Sequence, residues 1–148
     1  MRIIAGQWKG TRLSSPDGDR TRPTTDRVKE SVFSILGYRV EGARVLDLCA
    51  GTGNLGLEAL SRGALSAVFV EKSAGALALI RENCAKVRAV NTRIIRADAL
   101  RYVRNWDPLE EPFCLVFFDP PYRGGLYRPV LEAIDQNQIL SEDGIVVV

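Results

Sequence analysis

Downstream of residue 44 the chain alternates short, unbroken apolar runs with longer segments of helical period. Few folds accept that rhythm. The runs lie at 44–48, 67–71, 93–97, 114–119 and 145–148 and are rich in Val, Ile and Phe. A strand that is apolar throughout, rather than at alternate positions, needs cover on both faces, which describes a mostly parallel sheet with helices on either side. The intervening segments supply those helices. Leu77, Ile80, Cys84 and Val87 fall on one face of 74–87, with Ser73 ahead of them as an N-cap. Segment 54–62 follows the same pattern, 99–107 is shorter, and 126–140 tolerates Pro129 because it falls in the first turn. The expected class is α/β with a Rossmann-like sheet.

Ahead of this lies a segment of different texture. Residues 2–7 and 11–14 can pair as a hairpin, Pro16, Gly18 and Pro23 mark a loop, and 25–38 has helical spacing. We therefore divide the 148 residues into an N-terminal arm, 1–40, and a main domain, 41–148, built on one hydrophobic core. The last stretch, 144–148, is an apolar strand with nothing following to pair with its open side. Such an edge invites association, so a partner strand, a second copy or a missing C-terminal hairpin is expected to protect it. No 18-residue apolar run and no secretory leader is present, which points to a cytoplasmic protein without a membrane partner.

Composition removes several chemistries. There is no histidine, so Ser-His-Asp and Cys-His nucleophiles are excluded. Cys49, Cys84 and Cys114 are odd in number and widely spaced, which fits reduced core thiols better than a disulfide framework or a metal site. Net charge is only +2, but residues 1–30 hold seven Lys and Arg against four Asp and Glu, so the positive excess sits in the arm. That is a weak nucleic-acid signal by itself.

Two motifs carry the chemistry. The first, Val45-Leu46-Asp47-Leu48-Cys49-Ala50-Gly51-Thr52-Gly53-Asn54-Leu55-Gly56, is a strand ending in a Gly-rich turn that opens a helix, where bare backbone N–H groups can approach a ligand. Gly51, Gly53 and Gly56, with Glu71 twenty residues beyond Gly51, also match a dinucleotide fingerprint. Asp47 tilts the choice, because a carboxylate inside the motif repels a pyrophosphate and can pair with the amino group of a methionine moiety. Glu71 is then placed to accept ribose hydroxyls, and Asp98, with the backbone of Ala99, an adenine amino group. Ala50, Thr52 and Lys72 complete the expected cofactor contacts.

The second motif, Asp119-Pro120-Pro121-Tyr122, directly follows the run ending at Phe118. Two prolines make a stiff turn at the carboxyl end of a sheet, where open α/β folds bind ligands. Such a turn presents the Asp119 carboxylate and backbone carbonyls as acceptors for an amino group, and Tyr122 offers a flat ring to a base rotated out of its stack. The bland alternative is an Asp-Pro turn with a core tyrosine.

Together the motifs resemble class I S-adenosyl-L-methionine-dependent methyltransferases that modify amino groups. Met1-Arg2-Ile3-Ile4-Ala5-Gly6, Lys9-Gly10 and the run Arg22-Pro23-Thr24-Thr25-Asp26-Arg27-Val28-Lys29-Glu30-Ser31-Val32-Phe33 narrow the resemblance to the bacterial small-subunit rRNA guanine-N2 methyltransferases of the RsmD type. The resemblance implies a seven-stranded sheet, of which the last two strands are missing here, and methylation of one guanine in 16S rRNA within a small subunit or its assembly intermediate. It also implies that Arg22, Thr24, Thr25 and Arg27 belong to an arm closing over cofactor and RNA, joined by Tyr122 and Arg123. Helix capping by Thr24 or Thr25 with solvated arginines is the plainer reading of the same residues. A DNA adenine-N6 methyltransferase shares the Asp-Pro-Pro-Tyr logic but needs a recognition region larger than about forty residues. A cofactor- or RNA-binding module without turnover is a third reading.

Overall fold

The computed structural model describes residues 1–16, 23–120 and 125–148, with residues 23–25 described by backbone alone. Five parallel strands form one sheet in the order β3-β2-β1-β4-β5. They are β1 (Arg44–Leu48), β2 (Ser66–Glu71), β3 (Thr92–Arg96), β4 (Phe113–Phe118) and β5 (Leu140–Val147), and the helices are α1 (Pro23–Leu36), α2 (Asn54–Ser61), α3 (Ala74–Val87), α4 (Ala99–Arg104) and α5 (Tyr127–Gln136). The order reverses between β1 and β4, and the crevice at such a reversal is where ligands of these sheets bind.

Alternate side chains of the central strands feed two cores. On one face Val45, Phe69, Leu115 and Phe117 meet Leu57, Ile80 and Cys84; on the other Leu46, Leu48, Val116 and Phe118 meet Val103, Val130 and Ile134. This two-sided burial is why the strands read as continuous apolar runs. Ile3, Leu13, Phe33, Leu36 and Val40 belong to the first of these clusters, so the first forty residues share a core with the sheet. Ser73 caps α3, its side chain accepting from Ala76 N at 3.4 Å. No helix among the described residues is long and apolar enough to cross a membrane.

Several expected boundaries move, each for a local reason. The hairpin shrinks to a single antiparallel bridge between Arg2 and Arg12, because the N–H groups of Ile4 and Ala5 turn away to the Glu58 carboxylate at 2.8 and 3.1 Å. α1 starts at Pro23, which puts Thr24 and Thr25 inside its first turn and takes the N-cap position away from both. The fifth strand begins at Leu140, earlier than expected. Its Ser141-Glu142-Asp143 stretch is polar and bulged, with Leu140 opposite Phe113 and Ile145 opposite Leu115, so hydrophobic pattern marked only its second half.

Candidate functional site

β1 and β4 run side by side with Asp47 opposite Phe117 and Leu48 opposite Phe118. Their carboxyl ends open into a cavity of about 540 Å³. That lies within the range of about 300–1,000 Å³ common to ligand sites. One wall is the turn 49–52 with Asn54 and Leu55 of α2, another is Val28, Lys29 and Val32 of α1, and Asp119 closes the β4 side. A smaller hollow of about 70 Å³ shares Cys49 and is bounded by Glu71, Lys72, Asp98 and Ala99.

The turn takes three left-handed residues, Cys49 at φ 58°, Gly51 at 59° and Gly53 at 81°. Its shape is held from every side. Ala50 N donates to Val70 O at 3.0 Å, Gly53 N to Ala50 O at 2.8 Å, and Asn83 Nδ2 to Thr52 O at 2.9 Å. Glu71 takes Gly51 N on Oε1 at 3.0 Å and Ser73 N on Oε2 at 2.8 Å, leaving further acceptor capacity on each oxygen. A Cβ built on Gly51 meets nothing within 4 Å, so the backbone there is bare.

Gly56 is the opposite case. A Cβ there stands 2.4 Å from Phe69 Cε1 and 3.2 Å from Asp47 Oδ2, the atom that accepts from Gly56 N at 3.0 Å. Gly56→Ala is therefore expected to destabilise the fold by about 1–3 kcal/mol through overpacking, read as a lower midpoint in urea at unchanged slope. An unchanged midpoint would show that Phe69 yields freely.

Asp47 is 2% exposed. Burial pushes its carboxyl up to about 8, against the lowering effect of the Gly56 bond and with help from the nearby Glu71 and Asp119 charges. In the unfolded chain the same group titrates near its ordinary value of 3.8. The folded carboxyl thus holds its proton after the unfolded one has lost it, and the stability this contributes fades as pH rises from about 4 to about 8. Asp47→Asn keeps the shape without the titration, so its stability advantage over the parent should grow across that interval and then level off. Melting curves at several pH values check this, and a constant difference contradicts it. The Cys49 thiol is likewise pushed up to about 11, by burial first and then by Glu71, Asp47 and Asp98.

Among the expected residues, Asp47, Ala50, Gly51, Thr52 and Asp119 line the large cavity, and Glu71, Lys72, Asp98 and Ala99 line the small one. Asp98 also caps α4, its Oδ2 accepting from Arg101 N at 3.1 Å. Gly53 lines neither hollow; a Cβ there points to Phe69 and Ile80. Pro120 is buried beside the exposed Asp119, and Arg27 is exposed on α1 and lines neither hollow. Arg22, Pro121, Tyr122 and Arg123 lie outside the described residues, as do the side chains of Thr24 and Thr25.

Of the three cysteines only Cys84 is buried; Cys49 and Cys114 are half-buried, which corrects the expectation of three core thiols. Cys49 faces the cavity because the chain must turn there in a left-handed conformation. Sequence reasoning also missed Met1, Lys29 and Asn54, which line the cavity too. A signal for Lys29 existed, since it precedes Phe33 and Leu36 by four and seven residues and so shares their buried helical face.

All 148 residues match the protein-family model described as conserved hypothetical protein 95. The chain is 40% identical to the "Putative rRNA methyltransferase YlbH" of Bacillus subtilis over 99% of its own length and 80% of that protein's. It is 37% identical to the "Ribosomal RNA small subunit methyltransferase D" of Escherichia coli, covering 73% of it. The solved "Putative methyltransferase yhhF from Escherichia coli" superposes with a TM-score of 0.88 at 36% identity, across 99% of this chain and 79% of that one.

Proposed function

The chain belongs to the conserved hypothetical protein 95 family, and from that membership we propose that it transfers a methyl group from S-adenosyl-L-methionine to the exocyclic 2-amino group of a guanine in small-subunit (16S) ribosomal RNA. Methyl transfer to rRNA is supported by what the relatives in Bacillus subtilis and Escherichia coli are called. The choice of guanine N2 rests on the resemblance of the N-terminal signature.

One observation carries the cofactor reading. Asp47, Glu71, Asp98 and Asp119 stand at or just beyond the carboxyl ends of β1, β2, β3 and β4 and line two hollows that share Cys49. A ring of carboxylates suits a ligand bearing a sulfonium and an ammonium, and it repels the pyrophosphate of a dinucleotide. The residues present fit such a ligand. Glu71 has acceptor capacity left for a diol, Gly51 is open to close approach, and the buried Asp47 carboxyl, raised to about 8, gives up its proton as a cation enters beside it.

When bound, the cofactor supplies a methyl group already electrophilic on its sulfonium. The chain has to align the attacking nitrogen, exclude water, and receive the positive charge that grows on the amine. Asp119 is assigned the last task, with Pro120 and Pro121 fixing the turn and Tyr122 stacking the base. Arg22, Thr24, Thr25, Arg27 and Arg123 are assigned to RNA, so residues 1–40 act as a closing arm and 41–148 as the catalytic domain. Label from the cofactor should enter unmodified small subunits or their assembly intermediates. Transfer to duplex DNA instead would favour an adenine-N6 enzyme, and transfer to neither would leave a binding module.

A further inference from the structure

Lys29 lies on the inward face of α1 with Phe33 and Leu36, and it is only 2% exposed. A buried ammonium is costly unless each proton is matched. Here each is: Nζ donates to the Arg2 carbonyl oxygen, to Asn54 Oδ1 at 2.7 Å, and lies 3.2 Å from Glu58 Oε1. Glu58, itself fully buried, is well supplied without that lysine, for it also accepts from Ile4 N, Ala5 N and Arg62 Nε. The three contacts of Lys29 therefore differ in purpose. The Arg2 contact lies within the arm, the Glu58 contact joins the arm to α2, and the Asn54 contact reaches the first residue of α2, directly after Gly53.

That third contact sits in the cavity wall, since Lys29 and Asn54 both line it beside the turn 49–52. The same turn is tied to the arm at two further points. Thr52 Oγ1 lies 3.3 Å from Met1 Sδ, and Asn83, which holds Thr52 O, also bonds both the N–H and the carbonyl of Ser14. A well-packed apolar residue at position 29 leaves Glu58 its bonds from Ile4 N, Ala5 N and Arg62 Nε. What it cannot do is grip Asn54.

We propose that Lys29 is a positioning residue of the cofactor site, fixing the Gly-rich turn through Asn54 in the conformation that binds S-adenosylmethionine. The proposal rests on the cofactor reading of the cavity. It goes beyond that reading in tracing an effect on cofactor affinity to one buried lysine and its bond to Asn54, rather than to closure of the arm over the ligand.

The test is a double-mutant cycle on the whole chain, with S-adenosylmethionine affinity measured by calorimetry at a temperature where every variant is folded. Asn54→Ala cuts the link to the turn while leaving Lys29 paired with Glu58. It should weaken binding about tenfold, a loss of about 1.4 kcal/mol. Lys29→Met should weaken binding to a similar degree, and the double variant should be no weaker than either single one. Unchanged affinity in Asn54→Ala, or losses that multiply in the double variant, overturns the proposal. Should Lys29→Met fail to fold, Asn54→Ala alone decides. If the parent chain itself gives no heat with the cofactor, the cofactor reading fails and this proposal falls with it; if the parent binds and the variants bind equally, only this proposal falls.

Discussion

Asp119→Ala is expected to lower the rate of methyl transfer by about 10²–10³-fold, the loss seen when one preorganised group facing developing charge is removed. The side chain stands at the end of β4 in the wall of the large cavity, exposed to solvent. Exposure matters for the prediction, because substitutions at such positions usually change stability by less than about 0.5 kcal/mol. The melting temperature and the calorimetric affinity for S-adenosylmethionine should therefore hold while turnover collapses. Asp119→Asn separates two contributions: it keeps an acceptor for the amine's N–H but loses the charge, so it should fall between the parent and the alanine variant. A variant that turns over like the parent would remove Asp119 from the mechanism.

Glu58→Gln is expected to cause the largest loss of stability of any conservative change in the chain. Its carboxylate is fully buried and takes four donors: two backbone N–H groups from the arm, the Lys29 ammonium and the Arg62 guanidinium at 2.8 Å. The guanidinium in turn sits 4.7 Å from the centre of the Phe33 ring. Burial already lowers the Lys29 pKa, and the Glu58 charge is the main influence raising it back. An amide in its place leaves a buried cation without its counter-ion, at a cost of about 3–5 kcal/mol. For a domain of this size that is a drop of roughly 6–20 °C in melting temperature. Replacing the pair together, Glu58→Leu with Lys29→Met, should not recover the loss, since Ile4 N, Ala5 N and the Arg62 guanidinium are then left without their acceptor. Equal melting temperatures for parent and Glu58→Gln would show that the cluster contributes nothing to holding the arm.

The sheet was legible because β1, β2 and β4 are covered on both faces and so are mainly apolar, with Asp47 the one charge inside β1 after Arg44 at its start. β5 was half legible: Ile145 to Val147 are apolar, but the bulged Ser141 to Asp143 stretch has neither the composition nor the period of a strand. The carboxylates of the candidate site drew notice by their place at or near strand ends, Asp47 inside β1, Glu71 closing β2, and Asp98 and Asp119 just beyond β3 and β4. Harder to read were groups whose importance comes from long-range partners. Glu58 has the look of a surface residue in an amphipathic helix until Ile4 and Ala5, more than fifty positions away, deliver their N–H groups to it. Lys29 is similar, since its helical spacing marks it as inward-facing but nothing local reveals Asn54 as its acceptor.

What the relatives are called supports methyl transfer to rRNA, and the central proposal, that the 2-amino group of a guanine receives the methyl, is open to direct measurement. Small-subunit RNA lacking that modification, incubated with the protein and isotopically labelled S-adenosylmethionine, can be digested to nucleosides and fragmented in a mass spectrometer. The label is predicted on the base of a single guanosine, at its exocyclic nitrogen, and its initial rate of entry should fall by about 10²–10³-fold when Asp119→Ala is used. Label on an adenine, on a ring nitrogen or on ribose would contradict the account.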